Sequence, residues 1–325
     1  MSLQRKVQQI GKSGSYILTL PKEWCQTYDI SQGSEVVVSV DHLHPGTLLI
    51  SVPSEQKEER KADEPIRYDL ITEDRVFQRM ILGSYLNGSE IIRIIEIPDS
   101  KQIKVRKEIK KIISKLYVSR ETEIIDKSIE IHVSNEFISP ITVIGDLYMK
   151  AKNMIEDAFN AWKAGDASAA SEISQRDEDA DKLYFYIVRM LKKMLNDPIL
   201  ASEILKKENV VAFTLLDSLD LRVIASYLEN LADSADELSQ RIMEGVSDRS
   251  ELTAKTEDEF RRLMMNLEMS YNSFINRDDQ RVQNIINEIR SLREGFVNSF
   301  PPSLAPMIQE ILECIIDIAD LVGNY

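Results

Sequence analysis

Residues 221–242, LRVIASYLENLADSADELSQRI, decide the fold of the C-terminal half of this chain. Their apolar side chains recur at alternating steps of three and four residues, which is typical of a helix packed in a bundle. The same helix places Glu229, Asp233 and Asp236 on one face, away from the centre of the apolar seam. Like charges at this spacing repel one another. The acids are therefore predicted to lie on an outer face or at an inter-helix edge, either solvated or binding a cation. The seam consists of Leu221, Ile224, Leu228, Leu231, Ala235, Leu238 and Ile242.

The same amphipathic pattern continues from residue 139 to the end, and no strand pattern interrupts it. Asn196-Asp197-Pro198 and Pro301-Pro302 separate the segments. We therefore predict an all-α bundle of six helices in this part of the chain. They cover residues 139–164, 167–196, 204–244, 249–276, 279–298 and 303–323.

This helical region also repeats itself. SYLENLADSADEL (226–238) aligns without gaps with EILECIIDIADLV (310–322), so Glu229 and Asp233 correspond to Glu313 and Asp317. A second similarity pairs NAWKAGD (160–166) with NSFINRD (272–278) in the same order along the chain. The bundle is therefore predicted to contain two three-helix repeats, about 139–244 and 249–325.

A third acidic pair, Asp177 and Asp181, lies on the second predicted helix of the first repeat. Its counterparts in the second repeat are Ile289 and Arg293, which are not acidic. We therefore expect the better cation site in the first repeat, where two acidic pairs from neighbouring helices meet.

Carboxylates one helical turn apart offer the hard oxygen ligands that suit magnesium, calcium, manganese or iron. The candidate ion is divalent or trivalent. Zinc is one of the candidate metals, although no thiolate or histidine is present to build a closed structural zinc site. The predicted metal ligands are Asp177, Asp181, Glu229, Asp233, Glu313 and Asp317.

The N-terminal segment, residues 1–52, differs from the helical region in its sequence pattern. It contains four short strand patterns and one helical turn that begins at Pro21. So small a unit buries little core alone, so we expect it to form a homodimer with a second copy. Four basic residues precede its first acid, Glu23, and form a locally basic edge in a chain of net charge −14. They are Arg5, Lys6, Lys12 and Lys22.

A polar linker is predicted at residues 53–64, followed by a small α+β domain at 65–138. Its second helix, residues 101–115, carries seven basic residues against one acid, Glu108. We interpret this face as solvated, with contact to DNA or a protein partner as the alternative. His42 and His44 beside a turn make a poor metal site, and Cys25 is interpreted as a packing residue.

Two family resemblances follow from these residues. The repeated acidic motifs Asp177-x-x-x-Asp181, Glu229-x-x-x-Asp233 and Glu313-x-x-x-Asp317 resemble those of the PhoU family of phosphate-signalling regulators, whose acidic motifs bind metal ions on the bundle surface. The stretch RKVQQIGKSGSYILTLPKEW (5–24) resembles the AbrB/SpoVT family, whose swapped-hairpin dimers bind DNA. The combination is similar to archaeal regulators that join the two. The resemblance implies DNA contacts by Arg5, Lys6, Lys12, Ser13 and Lys22.

The expected function is therefore a DNA-binding transcriptional regulator of phosphate homeostasis with a metal-binding sensor bundle. The alternative is an adaptor that docks on a phosphate transporter or a sensor kinase, with the N-terminal unit used only for dimerisation. We expect no enzymatic activity, because no phosphate-binding loop, nucleophile elbow or metalloprotease motif is present. A cytoplasmic protein is expected, since two distant cysteines and no long apolar run are found.

Overall fold

The structure is a computed structural model, and it divides into two compact units, Met1–Lys61 and Ala62–Tyr325. The residues that it describes are 4–10, 14–40, 46–52, 64–71, 73–125, 128–134, 137–207, 217–245, 253–296 and 300–322.

The first unit contains two antiparallel strand pairs and one short helix. Strand β1 pairs with β2, and Gly14 with φ 78° supplies the left-handed turn residue before β2. Strand β3 pairs with β4. The elements are β1 (Gln8–Ile10), β2 (Ser15–Ile17), α1 (Lys22–Thr27), β3 (Val37–Val40) and β4 (Leu48–Ser51).

The apolar side chains of this unit are mostly in contact with solvent. Among its described side chains Val52 alone is buried. Burial of a single apolar side chain does not offset the chain entropy lost on ordering some fifty residues. The unit therefore exposes a surface that a second apolar surface would stabilise. Its exposed large apolar side chains are Val7, Ile10, Tyr16, Ile17, Leu18, Tyr28, Val37, Val38 and Leu48.

The second unit begins with a four-stranded sheet of order β5-β6-β8-β7, in which only the β5–β6 pair is parallel. Short 3-10 turns at Tyr68–Leu70 and Asp99–Lys101 precede its two helices. The elements are β5 (Ile66–Arg67), α2 (Asp74–Leu86), β6 (Ile91–Ile95), α3 (Gln102–Ile113), β7 (Val118–Ile125) and β8 (Ser128–Val133).

Burial alternates along β8, where Ile129, Ile131 and Val133 face the core and the residues between them are only partly covered. Helices α2 and α3 cover this face with Phe77, Ile81, Tyr85, Val105 and Ile109, all nearly inaccessible to solvent. The α+β region is therefore one sheet with two helices packed on it.

The remaining described residues of the second unit are mostly helical. No helix in the described residues is long and apolar enough to cross a membrane. The helices are α4 (Pro140–Ala164), α5 (Ala167–Asn196), α6 (Pro198–Lys207), α7 (Asp217–Met243), α8 (Ala254–Asn276), α9 (Asp279–Phe296) and α10 (Ala305–Val322).

The predicted helix 204–244 is corrected at its start, because α6 already begins at Pro198; residues 208–216 lie outside the described residues, and α7 covers Asp217–Met243. The Asn-Asp-Pro sequence does end α5, but it also starts α6. The Asp197 carboxylate accepts a hydrogen bond from the Leu200 backbone N–H at 3.2 Å, and proline is favoured at the first helical position.

Helices α4 and α8 end in the same way, 112 residues apart. Gly165 (φ 69°) and Arg277 (φ 53°) both take the left-handed conformation. In each case the next backbone N–H, that of Asp166 or Asp278, bonds a carbonyl five residues earlier. Arg277 adopts this conformation although it is not a glycine. Its side chain forms an ion pair with the buried Asp217 at 2.7 Å.

The bundle packs as two groups of helices, α4 with α5 and α7, and α8 with α9 and α10. They meet where α7 packs on α10 and where α4 faces α8. Across the latter contact, Tyr148 stacks on Tyr271 and Phe159 on Phe260, each with ring centroids 3.8 Å apart. Stacked aromatic pairs of this kind bury large apolar area.

One buried arginine joins the bundle to the α+β region. Arg189 of α5 is almost fully buried, donates a hydrogen bond to the Tyr85 carbonyl at the end of α2, and lies 4.9 Å from the Tyr85 ring centre. Phe185 of α5 packs against the same core. The position of α5 relative to α2 and α3 is therefore defined by buried contacts.

Candidate functional site

Helices α5 and α7 bring together the two acidic pairs of the first repeat. Asp177 and Asp181 project from α5, and Glu229 and Asp233 from α7. Burial, and then repulsion from carboxylates on both helices, raises the pKa of each of Asp177, Glu229 and Asp233. We call these four residues the acidic cluster. They meet because α5 and α7 pack side by side along their length.

The cluster lies at an inter-helix edge, which is one of the two places that the helical spacing allowed. Asp181 is only 6 % exposed, Asp177 and Glu229 are partly buried, and Asp233 remains exposed at the rim. A carboxylate as deeply buried as Asp181 needs a partner of opposite charge.

That partner is Lys115, which follows α3 in the α+β region. The Lys115 ammonium forms an ion pair with the Asp181 carboxylate. This contact raises the pKa of Lys115 even though burial opposes the charged form. The next residue, Leu116, is buried in the α+β core and holds the backbone of Lys115 in place.

One lysine does not neutralise four carboxylates. Burial first, and then repulsion from Asp181, Asp233 and Asp236, raises the pKa of Asp177 to about 7. The same two causes raise the pKa of Glu229 to about 7 and that of Asp233 to about 6. Near neutral pH the cluster therefore holds protons or attracts cations.

Two buried oxygens on these helices, the Oδ1 atoms of Asp177 and Asp236, have no hydrogen-bond partner among the residues that the structure describes. Buried acceptors normally find a partner. Metal ions are usually held by several histidine, cysteine, aspartate or glutamate side chains. Among the described residues, no three of these side chains lie close enough together to hold one.

The predicted second site, Glu313 and Asp317, lies on α10. Glu313 is exposed and accepts a hydrogen bond from Gln309 at 2.9 Å, and Asp317 accepts one from the Tyr227 hydroxyl of α7. Burial and the neighbouring Glu313 raise the pKa of Glu310. Ile289, the counterpart of Asp177, is buried in the core. The two repeats therefore differ, since α9 contributes no acid at that position.

The structure places only part of the predicted DNA-binding set. Arg5, Lys6 and Lys22 are exposed, and Lys22 begins α1. Lys12 and Ser13, like His42 and His44, lie outside the described residues. Cys25 is a free, partly buried thiol.

Sequence reasoning missed two residues of these sites. Lys115 was grouped with the exposed basic face of the helix 101–115, although it is the one that reaches the bundle. Glu310 was not singled out, because the repeat alignment highlights Glu313 and Asp317. For Lys115 the only signal was its place at the end of the helix, next to the apolar Leu116.

The acidic cluster predicts an unusual pH dependence for metal-free protein. The pKa values of Asp177 and Glu229 are about 7 in the folded state, against 3.8 and 4.5 as ordinary values. Between about pH 4 and pH 7 the unfolded chain therefore binds fewer protons at these groups, and their contribution to the free energy of unfolding falls as pH rises. Urea denaturation in chelator should show a smaller fall for Asp177→Asn/Glu229→Gln than for wild type. Parallel pH profiles would contradict this.

Comparison with known proteins gives one result for this region. The family model described as the PhoU domain matches residues 144–242. No curated protein and no solved structure matches the chain. The matched segment runs from α4 through α7 and contains all four acids of the cluster. Residues 144–242 therefore form a PhoU domain.

Proposed function

We propose that this chain is a DNA-binding transcriptional regulator of phosphate uptake and homeostasis, with a sensor domain that binds a metal ion at the acidic cluster. The PhoU domain supports the role in phosphate regulation. The observation that carries the mechanism is the ion pair between Asp181 of this domain and Lys115 of the α+β region. A regulator of this kind has no catalytic activity of its own.

The donor atoms of the acidic cluster, although not grouped around a common centre in this structure, are of the type that a hard metal ion prefers. Asp177, Asp181, Glu229 and Asp233 supply carboxylate oxygens only, which suits magnesium, calcium, manganese or iron. The Asp177 Oδ1 atom is buried without a partner, and Lys115 already places one positive charge there. A bound cation would neutralise these carboxylates and lower their pKa values.

In this proposal the chain's own residues provide the coupling. Lys115 holds the end of α3 to α5 while Asp181 is free to pair with it. If a metal ion engaged Asp181, the Lys115 ammonium would lose its partner and would be repelled by the added charge. The contact between α3 and α5 would then be weakened, and metal binding would be linked to the α+β region, which follows the proposed DNA-binding unit in the chain.

The DNA-binding part of the proposal rests on the first unit and on its resemblance to the AbrB/SpoVT family. Its exposed apolar strands are explained if two copies combine into one domain. Pairing would double the basic residues on a composite face, which makes phosphate contacts effective.

Replacing Arg5, Lys6, Lys12 and Lys22 together by alanine is expected to weaken DNA binding by the full-length chain at every sequence. Each lost phosphate contact should lower the slope of log affinity against log salt by about one. Fluorescence anisotropy with a duplex from the region upstream of the chain's own gene measures both quantities.

A matched control removes the same charge from the bundle, by alanine at Lys255, Arg261, Arg262 and Arg281, all exposed. Its DNA affinity should equal that of wild type. If wild type binds no duplex, or if both variants bind equally well, the N-terminal basic residues do not bind DNA. The adaptor function, with docking on a phosphate transporter or sensor kinase, is then the better proposal.

A further inference from the structure

A cavity of about 980 Å³ lies along the exposed side of α3, opposite the face that packs on the sheet. Glu178 of α5 also lines it. Its volume is in the range of small-molecule sites in proteins. The cavity, here named the α3 cavity, is lined by Gln102, Ile103, Arg106, Lys107, Ile109, Lys110, Lys111, Ile113, Ser114 and Glu178.

Three cationic side chains that line the α3 cavity have no ion-pair partner among the residues that the structure describes. On the same helix Lys104 pairs with Asp74 at 2.8 Å and Lys111 with Glu108 at 3.0 Å. Arg106, Lys107 and Lys110 form no ion pair with any residue that the structure describes. Arg106 and Lys110 are four positions apart, where like charges repel, so an anion between them would stabilise the helix.

The wall beside these cations is apolar. Ile103 is 87 % exposed, and the partly buried Ile113 also lines the cavity, whereas the side chain of Ile109 is buried in the α+β core. Ile103 lies one turn before Arg106 and Lys107 on the same face. The cavity therefore offers an apolar contact and, within two helical turns, two or three cationic groups. An amphiphilic anion requires this combination.

The surroundings favour a compact anion over an extended one. Glu178 lines the cavity, and Asp177, Asp179 and Asp181 are its neighbours on α5. A DNA duplex or an acidic protein surface lying along α3 would bring its own negative charges against these carboxylates. A small molecule held between Arg106 and Lys110 would face only Glu178, since the other three acids do not line the cavity.

We propose that the α3 cavity binds a phosphorylated small molecule of nucleotide size. Its phosphates contact Arg106, Lys107 and Lys110, and its less polar part packs on Ile103. This site is separate from the acidic cluster, because none of the four carboxylates lines it.

Isothermal titration calorimetry of the full-length protein with ATP tests the proposal. The titration is done in chelator, so that no metal ion bridges ATP to the acidic cluster. Wild type should show saturable binding, and Arg106→Gln/Lys110→Gln should bind at least about tenfold more weakly, since two charged hydrogen-bonding groups are lost. The control Lys255→Gln/Arg261→Gln removes the same charge from exposed positions of α8 and should bind as wild type does.

A further variant and a second ligand define the ligand class. Ile103→Ser should weaken ATP binding and leave pyrophosphate binding unchanged, because pyrophosphate has no apolar part to contact this side chain. The proposal is overturned if neither ATP nor pyrophosphate binds saturably, or if Arg106→Gln/Lys110→Gln binds them like wild type. It is also overturned if a DNA duplex or a poly-glutamate peptide binds through Arg106 and Lys110 and ATP does not compete with it.

Discussion

The Lys115→Met variant is expected to bind Mn²⁺ at least about tenfold more tightly than wild type and to be less stable in chelator. Methionine removes the positive charge that competes with a metal ion for Asp181 but keeps the apolar stem. Breaking a fully buried ion pair costs about 3–5 kcal/mol. Because the Lys115 side chain is 39 % exposed, we expect a loss of about 2 kcal/mol in the free energy of unfolding.

The matched control for this variant lies on α3 itself. Lys104 pairs with Asp74 at 2.8 Å, and both side chains are exposed. Lys104→Met should change stability by no more than about 0.5 kcal/mol and leave Mn²⁺ affinity unchanged. If Lys115→Met and Lys104→Met behave alike in both measurements, Lys115 is not the competitor of a metal ion.

The Val38→Asp variant is expected to dissociate the proposed homodimer. Val38 on β3 is 57 % exposed in the single chain, among apolar residues that a second copy would cover. Burying an unpaired carboxylate in such an interface should weaken dimerisation at least about 100-fold. Sedimentation equilibrium of the full-length protein measures the change.

Val76→Asp is the control for this substitution, since Val76 on α2 is 43 % exposed in the other unit. That variant should sediment like wild type. A dimer that survives Val38→Asp unchanged, or a wild-type chain that sediments as a monomer, would show that residues 1–52 do not hold two copies together.

The fold was predictable from the sequence where the apolar periodicity extends over a long continuous segment. The seam from Leu221 to Ile242 predicts a helix, and every seam position is buried in α7. The start of α6 was missed because Asn196-Asp197-Pro198 was treated only as a helix stop. Aspartate before proline also caps a new helix, and the sequence contains no feature that separates the two roles.

The candidate site was predictable only in the part that repeats. Helical spacing placed Glu229 and Asp233 on one face, and the packing of α5 on α7 brings Asp177 and Asp181 to them. Lys115 could not be predicted, because it lies 66 residues before Asp181 and the contact depends on how the α+β region packs on α5. That packing depends on buried side chains such as Arg189, whose contacts the periodicity of a single helix does not reveal.

Titration of the full-length, chelator-stripped protein with MnCl₂ at pH 7.5 tests the central claim most directly. Wild type should bind Mn²⁺ saturably, and Asp177→Asn/Asp233→Asn should lose the tighter binding phase. The control Asp157→Asn/Asp258→Asn removes two exposed carboxylates from other helices and should retain it. Wild-type protein without saturable binding, or tight binding that persists in Asp177→Asn/Asp233→Asn, would contradict the assignment of the acidic cluster as a metal site.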